Sequence, residues 1–348
     1  MRIVFYTDSI TIGGAEYYLK ILASGLKDKG HEVIVAKDFD EVLRNKDADI
    51  IHFNMPDAFS CGREIEAASR IPGKKLFATI HSLSKTPTFK AGQRFKEWVA
   101  LNILFWDKFD KIRGAVSLAL NRSKVRAKLM KLHKIIAVSK ASKADFTKTF
   151  GLPENNIAVV YNGIPEKKYP DRVEARMALG LPLNLPVIAC VGRLVKNKGQ
   201  DVFLKAAAQV KRDIPNAKFL IVGDGYLKER LIKLTKRLGL TPYVSFLDYQ
   251  KADLVYGAMD ISVVPSLEEN FPYVVIESIM AGKPVVASGV GGIPELIENN
   301  LVKPGNDAGI AKAVVGILKD GNRTRIGSMS GRFTIAEMIK GTEKVYAA

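Results

Sequence analysis

The chain has 348 residues, a formal charge of +17, two cysteines, and 47% apolar against 26% charged residues. One hydrophobic core rarely serves so long a chain, so two domains of roughly 150–200 residues are expected. Cys61 and Cys190 match no disulfide or metal spacing and suit a reducing compartment, no run approaches the ~18–20 apolar residues of a membrane span, and no signal peptide is visible, so the expectation is cytoplasmic.

Short β-branched runs recur, each followed by a helical pattern. In chain order they are "RIVFYT", "HEVIVAK", "ADIIHFN", "KKLFATIH", "KIIAVS" and "NIAVVYNG", then "PVIACVG", "AKFLIVG", "VSFLD", "DISVVPS" and "KPVVAS". Apolar strands alternating with helices predict parallel sheets covered on both faces. The series restarts near residue 186. An α/β protein of two doubly wound, Rossmann-like domains is therefore expected: residues 1–165, a Pro-rich polar linker over 166–185, and residues 186–333. A last helix, about Thr334 to Tyr346, follows a Gly-, Ser- and Arg-rich stretch.

In open parallel sheets ligands bind at the carboxyl ends of strands. The unusual residues of this chain sit there: "FYTDSITIGGAE", "TIHS", "VYNG", "VGRLVKNKG", "VGDG", "FLDY" and "VPSLEENFP". Turns collect Gly and polar residues anyway, but seven instances at one topological position suggest a cleft between two domains.

The stretch "ENFPYVVIESIMAGKPVV" combines two carboxylates with helix signals. Asn270 suits an N-cap, Pro272 the first helical turn, and Gly282 with Pro284 the stop. The N–H groups from Tyr273 to Val275 would form an anion site. Glu269 would lie at the mouth and Glu277 about a turn inside, placed to accept hydrogen bonds from hydroxyls. On residue type alone, Glu277 is equally a buried acid paired with a cation, and Glu268 competes with Glu269. Arg193 and Lys198 in "GRLVKNKG" could clamp a diphosphate or be plain surface charges. Gly13 and Gly14 precede a helix and allow close approach to a phosphate. His81 ends "LFATIH", where a structural and a catalytic role are equally open.

Taken together, the Glu269/Glu277 pair spaced E-x(7)-E before "AGKPVV", with "GRLVKNKG", "IVGDGYL", "VVYNGI", "IAVSKASKADF" and "ASGVGGIPELI" in order, resembles a known family. The chain is similar to retaining, nucleotide-sugar-dependent glycosyltransferases with the GT-B fold, of the large group 1 family that includes bacterial lipopolysaccharide-core and glycolipid transferases. The resemblance implies two Rossmann-like domains facing a central cleft, the C-terminal helix (334–348) crossing back to the first. It implies an acceptor domain followed by a donor domain. Arg193 and Lys198 would bind the donor diphosphate, Glu277 the ribose, and Glu269 the donor sugar. Asn270, Phe271, Pro272, Tyr273 and Val274 would meet diphosphate and sugar. Gly223, Asp224, Gly225 and Tyr226, with Leu247 and Tyr249, would form the base pocket. Gly13, Gly14 and His81 would approach phosphate, acceptor and sugar. The catalytic set implied is His81, Glu269, Arg193 and Lys198. The chain departs from the family at Asn270 and Pro272, where glycines usually flank the Phe, at Asp248, and in a loop shortened to "LVK" after "ELIENN".

The implied reaction is front-face displacement with retention. No carboxylate is placed as a nucleophile, unlike in a retaining glycosidase pair. No cofactor is expected beyond the nucleotide diphosphate sugar as co-substrate, UDP-linked or GDP-linked, and no metal-ligand cluster is visible.

Charge is concentrated between Lys85 and Lys148, where sixteen Lys or Arg face four acids, a net +12. This implies an anionic partner. Lys90, Arg94, Lys96, Trp98, Trp106 and Lys108, followed by Arg122, Lys124, Arg126 and Lys128, mix cations with aromatics as an anionic bilayer surface requires. A core-packed helix with a solvated basic face gives the same pattern. The expected partners are a nucleotide sugar, a glycolipid or polysaccharide acceptor of the cell envelope, and the inner face of the plasma membrane. Two other readings stand beside this one: a nucleic-acid-binding basic protein, for which no recognised module is present, and a non-catalytic partner subunit, against which the intact Arg193, Lys198, Glu269 and Glu277 argue. A nucleotide-sugar epimerase of the same architecture is a minor further alternative.

Overall fold

The structure, a computed structural model, describes residues 1–8, 13–82, 122–249, 252–320 and 333–348. The chain divides into two compact units, Met1–Tyr161 with Met338–Ala348, and Asn162–Glu337.

The first unit holds β1 (Arg2–Tyr6), β2 (Glu32–Ala36), β3 (Ile50–Met55), β4 (Lys75–Ile80), β5 (Lys134–Ala137) and β6 (Ile157–Val159). They form one parallel sheet in the order β2-β1-β3-β4-β5-β6. Every residue of β3 is buried, as expected for a strand covered on both faces. Its helices are α1 (Gly14–Asp28), α2 (Phe39–Arg44), α3 (Gly62–Ala68), α4 (122–129) and α5 (Lys140–Phe150). Ser139 caps α5 by accepting from the Ser142 N–H at 3.0 Å, and Gly151 ends it at φ 65°. The chain's final helix runs Ile335–Ala347, and its Tyr346 is buried against His52 and Phe77 of this sheet.

The second unit holds β7 (Val187–Val191), β8 (Lys218–Val222), β9 (Val244–Leu247), β10 (Ile261–Val264), β11 (Val285–Ser288) and β12 (Leu301–Val302). This sheet is also parallel, in the order β12-β11-β10-β7-β8-β9. Its helices are α6 (Arg172–Ala178), α7 (Gln200–Asp213), α8 (Lys228–Arg237), α9 (Ala252–Ala258), α10 (Tyr273–Met280) and α11 (Asp307–Asp320).

Two details differ from the sequence reading. The stretch 166–185 includes α6, whose fully buried Arg176 donates to the Ala258, Pro182, Leu183 and Leu185 carbonyls and pairs with Asp260 at 2.6 Å. A guanidinium that satisfies so many acceptors turns a Pro-rich connector into packed structure. The shortened "LVK" stretch forms β12, an edge strand against β11.

Strand order locates the place where each sheet can take a ligand. The first sheet reverses direction between β1 and β3, and the second between β7 and β10. At such a reversal, loops leaving neighbouring strands part and open a crevice at the carboxyl ends.

Candidate active site at the strand ends

The second unit's reversal point is built mostly from backbone. After β7 the chain turns at Gly192, whose N–H donates to the Val222 carbonyl at 2.9 Å. The Leu194 N–H reaches the Asp224 carbonyl at 2.8 Å, and the Leu227 N–H returns to the Leu194 carbonyl at 3.1 Å. The Gly223 N–H bonds the Leu247 carbonyl at 2.9 Å, which ties in β9. Gly223 has φ 137°, and a Cβ there would collide with the Gly192 carbonyl oxygen. Gly225, at φ 155°, lies against Leu194 in the same way. Glycine is thus required by both conformation and close approach.

The loop after β7 then meets the loop after β10. The short helical turn Lys196–Lys198 ends at Gly199, φ 69°, where a Cβ would strike the Pro265 carbonyl. The Leu267 N–H donates to the Asn197 carbonyl at 2.8 Å. This brings Lys198 to Glu269: the ammonium pairs with Glu269 Oε1, which also accepts from Ser266 Oγ at 3.1 Å. The Lys198 and Glu269 side chains are 23% and 10% exposed, whereas Glu268 is exposed. Of the two acids, Glu269 is the one that faces the Lys198 ammonium. Arg193 is exposed on the same loop, and its carbonyl is held by Gln200 Nε2 at 2.8 Å.

Glu269 leads into α10. Here the expected cap is corrected: Pro272, at φ −77° and ψ 124°, and not Asn270, is the capping position, and α10 starts at Tyr273. Proline's fixed φ places it just outside the helix in extended backbone. The Val275 N–H, expected to face an anion, instead donates to the Pro272 carbonyl at 3.2 Å. Asn270 accepts at its carbonyl from the Gly292 N–H at 2.8 Å, and the Phe271 carbonyl accepts from Asn162 Nδ2 at 3.3 Å. Phe271 and Pro272 are buried, Val274 half-buried.

One turn into α10, Glu277 Oε2 accepts from the Tyr256 hydroxyl at 2.5 Å. Burial pushes the Glu277 carboxyl pKa up, against the opposing pull of that hydrogen bond and of Lys167. Burial, with Glu277 next to it, raises the Tyr256 hydroxyl well above its ordinary value, so it stays a donor. Tyr226 and Tyr249 are exposed at 67% and 56% beyond β8 and β9, and the Tyr226 hydroxyl accepts the Lys196 N–H at 3.3 Å. Asp224 and Asp248 are exposed and share Lys228, while Leu247 is half-buried.

The first unit's strand ends are built from side chains. Gly13 caps α1 in extended backbone, and its carbonyl accepts the Tyr17 N–H at 3.0 Å. Asn54 of β3 donates from Nδ2 to the Ala15 carbonyl at 3.0 Å, and its Oδ1 lies 2.8 Å from His81 Nε2. The Tyr18 ring meets His81 edge-on, with centroids 4.7 Å apart. Behind them His52 bridges the Tyr346 hydroxyl (2.6 Å) and Thr79 Oγ1 (2.9 Å), and Thr79 also meets the Tyr18 hydroxyl. Burial pushes both His52 and His81 down to about 3.

Of the basic residues, Lys90, Arg94, Lys96, Trp98, Trp106 and Lys108 lie outside the described residues. Arg122 and Arg126 donate to the Lys148 (3.1 Å) and Gly151 (3.2 Å) carbonyls at the end of α5. Lys128 is half-buried against Gly62, and Lys124 is exposed. Among the described residues no helix is long and apolar enough to cross a membrane, and no three or more His, Cys, Asp or Glu gather as metal ligands.

Comparison with known proteins gives this architecture a family. Residues 171–330 match the family described as glycosyl transferases group 1, and residues 36–168 match glycosyltransferase family 4. Both matches are to glycosyltransferase families, the group 1 match lying in the second unit, and the chain is a glycosyltransferase. It is 28% identical to an uncharacterized glycosyltransferase of Methanocaldococcus jannaschii, over 89% of this chain and 86% of that one. A D-inositol 3-phosphate glycosyltransferase of Mycolicibacterium vanbaalenii is 36% identical over 42% of this chain, a match spanning 36% of that enzyme's length. The crystal structure of Anabaena HepE in complex with UDP-glucose superposes with a TM-score of 0.76 at 23% identity, covering both chains fully, and confirms the two-domain GT-B fold.

Missing from the sequence reading were Ser266, Tyr256, Gln200 and Asn54. The only signal for Asn54 was a polar residue inside the otherwise apolar run "ADIIHFN". The others needed the fold to bring distant segments together.

Proposed function

We propose that the chain is a retaining glycosyltransferase that moves a hexose from a nucleoside diphosphate sugar, UDP-linked first, to a glycolipid or polysaccharide acceptor. The observation that carries this reading is the Lys198–Glu269 pair at the reversal point of the second sheet. A cation fit for a diphosphate and a carboxylate fit for sugar hydroxyls are held there side by side, next to the start of α10. The UDP-glucose bound to HepE, a protein of the same fold, supports the choice of donor.

In this mechanism Lys198 and Arg193 take the charge that grows on the leaving diphosphate. Glu269 gives up Lys198 to the phosphate and accepts from hydroxyls of the donor sugar. Glu277, steadied by Tyr256, accepts from the ribose. Tyr226 and Tyr249 offer exposed rings to the base. The acceptor oxygen attacks the anomeric carbon from the face the diphosphate leaves, the carbon–oxygen bond to phosphate breaks, and the departing diphosphate takes the acceptor proton. An acceptor at an anionic bilayer surface fits the +12 segment.

A mass-spectrometric screen of nucleotide sugars, with and without vesicles of anionic phospholipid, tests the reading. The expected result is consumption of a UDP-sugar, faster with vesicles, and a loss of about tenfold or more in donor affinity for Lys198→Ala, the scale of one charge-assisted hydrogen bond. Neither binding nor consumption of any nucleotide sugar would sink it.

A further inference from the structure

The first unit contains a device that decides what His81 can recognise. Asn54 is 99% buried at the end of β3, and its amide orientation is set from one side. The Ala15 carbonyl can only accept, so the Asn54 nitrogen faces it at 3.0 Å. The Asn54 oxygen then faces His81 Nε2 at 2.8 Å, and a carbonyl oxygen can only accept. Nε2 must therefore carry the proton. Burial keeps the ring neutral at pH 7, with its pKa lowered to about 3. In a neutral imidazole with Nε2 protonated, Nδ1 is a bare lone pair. The ring plane is fixed by the edge-on contact with Tyr18, and the backbone by the His81 N–H to the Met55 carbonyl at 3.0 Å. Among the described residues the ring packs against Tyr18 of α1, whose hydroxyl meets Thr79.

We propose that Asn54 is a positioning residue that holds His81 with its proton on Nε2, leaving Nδ1 to accept a hydrogen bond from a substrate hydroxyl. A phosphate or carboxylate offers no proton to such a nitrogen. The partner of His81 is thus a sugar or acceptor hydroxyl. This rests on the glycosyltransferase reading above only for the identity of the hydroxyl.

The test is a long-range nitrogen–proton spectrum of the imidazoles in the full chain at pH 7, with His81→Gln used to identify the His81 signals. Wild-type protein is expected to show a pyrrole-type Nε2 and a pyridine-type Nδ1 for His81. Asn54→Leu is expected to let the proton move to Nδ1 and to lower turnover at saturating donor by about tenfold, the worth of one hydrogen bond. A wild-type proton on Nδ1, a charged ring at pH 7, or an unchanged tautomer in Asn54→Leu overturns the proposal, whatever the turnover. The expected spectra combined with no sugar transfer by wild-type protein overturn the functional reading alone, and the role of Asn54 stands.

Discussion

The two units solve one problem with different materials. Both are parallel six-stranded sheets with a reversal point, and both place polar groups at strand carboxyl ends. In the second unit the loops are locked to each other through backbone: Gly192 to Val222, Leu194 to Asp224, Gly223 to Leu247, Leu267 to Asn197. In the first unit the corresponding positions are held by side chains, the buried Asn54, Tyr18, Thr79, His52 and Tyr346 and the half-buried His81. All four histidines of the chain fall in the first unit. A backbone lattice is indifferent to pH and intolerant of a single extra carbon. A side-chain network tolerates neighbours but titrates.

The largest expected effect follows from the titration. His52 is fully buried, and its pKa of about 3 lies below the ordinary 6.5. Between those values the unfolded chain takes up the proton and the folded one refuses it, so stability is complete above about pH 6.5 and falls as pH drops toward 3. At about 1.4 kcal/mol per pKa unit, His52 accounts for roughly 3–5 kcal/mol at the acid end of that window. His81 has the same sign. Glu277 in the second unit runs the other way, because a carboxyl raised by burial loses stability as pH rises through its folded value. Hydrogen exchange at pH 5 and pH 7 should show protection falling first in the first unit. In His52→Gln the acid slope should flatten. Equal loss of protection in both units would remove the contrast.

A medium effect comes from the glycines. Gly223→Ala places a methyl group against the Gly192 carbonyl at φ 137°. Strain of about 1–3 kcal/mol is expected, enough to part the loops after β7 and β8. Calorimetry should report UDP affinity lowered by about 10- to 100-fold, with the first unit's exchange protection unchanged. Unaltered affinity would mean the backbone lattice does not hold the donor loops.

The same difference in materials explains what could be read from the sequence. Backbone sites leave glycine at fixed offsets from strand ends, so "VGRLVKNKG", "VGDG" and the carboxylates of "ENFPYVVIE" pointed to the second unit's loops before any coordinates. The strand series and the two sheets were legible for the same reason, since parallel strands are written as uninterrupted apolar runs. A side-chain network has no spacing of its own. Asn54 and His81 are 27 positions apart, and His52 and Tyr346 are 294 apart. Only folding brings them into contact. The placement of Pro272 also escaped the sequence, because proline's fixed φ fits both the first helical position and the residue before it.

The smallest effect concerns the basic residues, where charge and structure make opposite predictions. Arg122 and Arg126 were counted with Lys124 and Lys128 as a surface for an anionic partner. Both guanidinium groups, however, donate to carbonyls at the end of α5, where the helix dipole is negative and the last carbonyls lack helical partners. Cations at such an end contribute about 0.3–1 kcal/mol each. The Arg122→Ala/Arg126→Ala protein should therefore melt a few degrees lower, with α5 exchanging faster. Its co-sedimentation with anionic vesicles at low salt should match wild type, while Lys124→Glu, which changes an exposed charge with no part in the cap, should weaken it. If the arginine variant instead keeps its melting temperature and loses the vesicles, these two side chains belong to the partner surface, and the first unit's cations serve binding before they serve the fold.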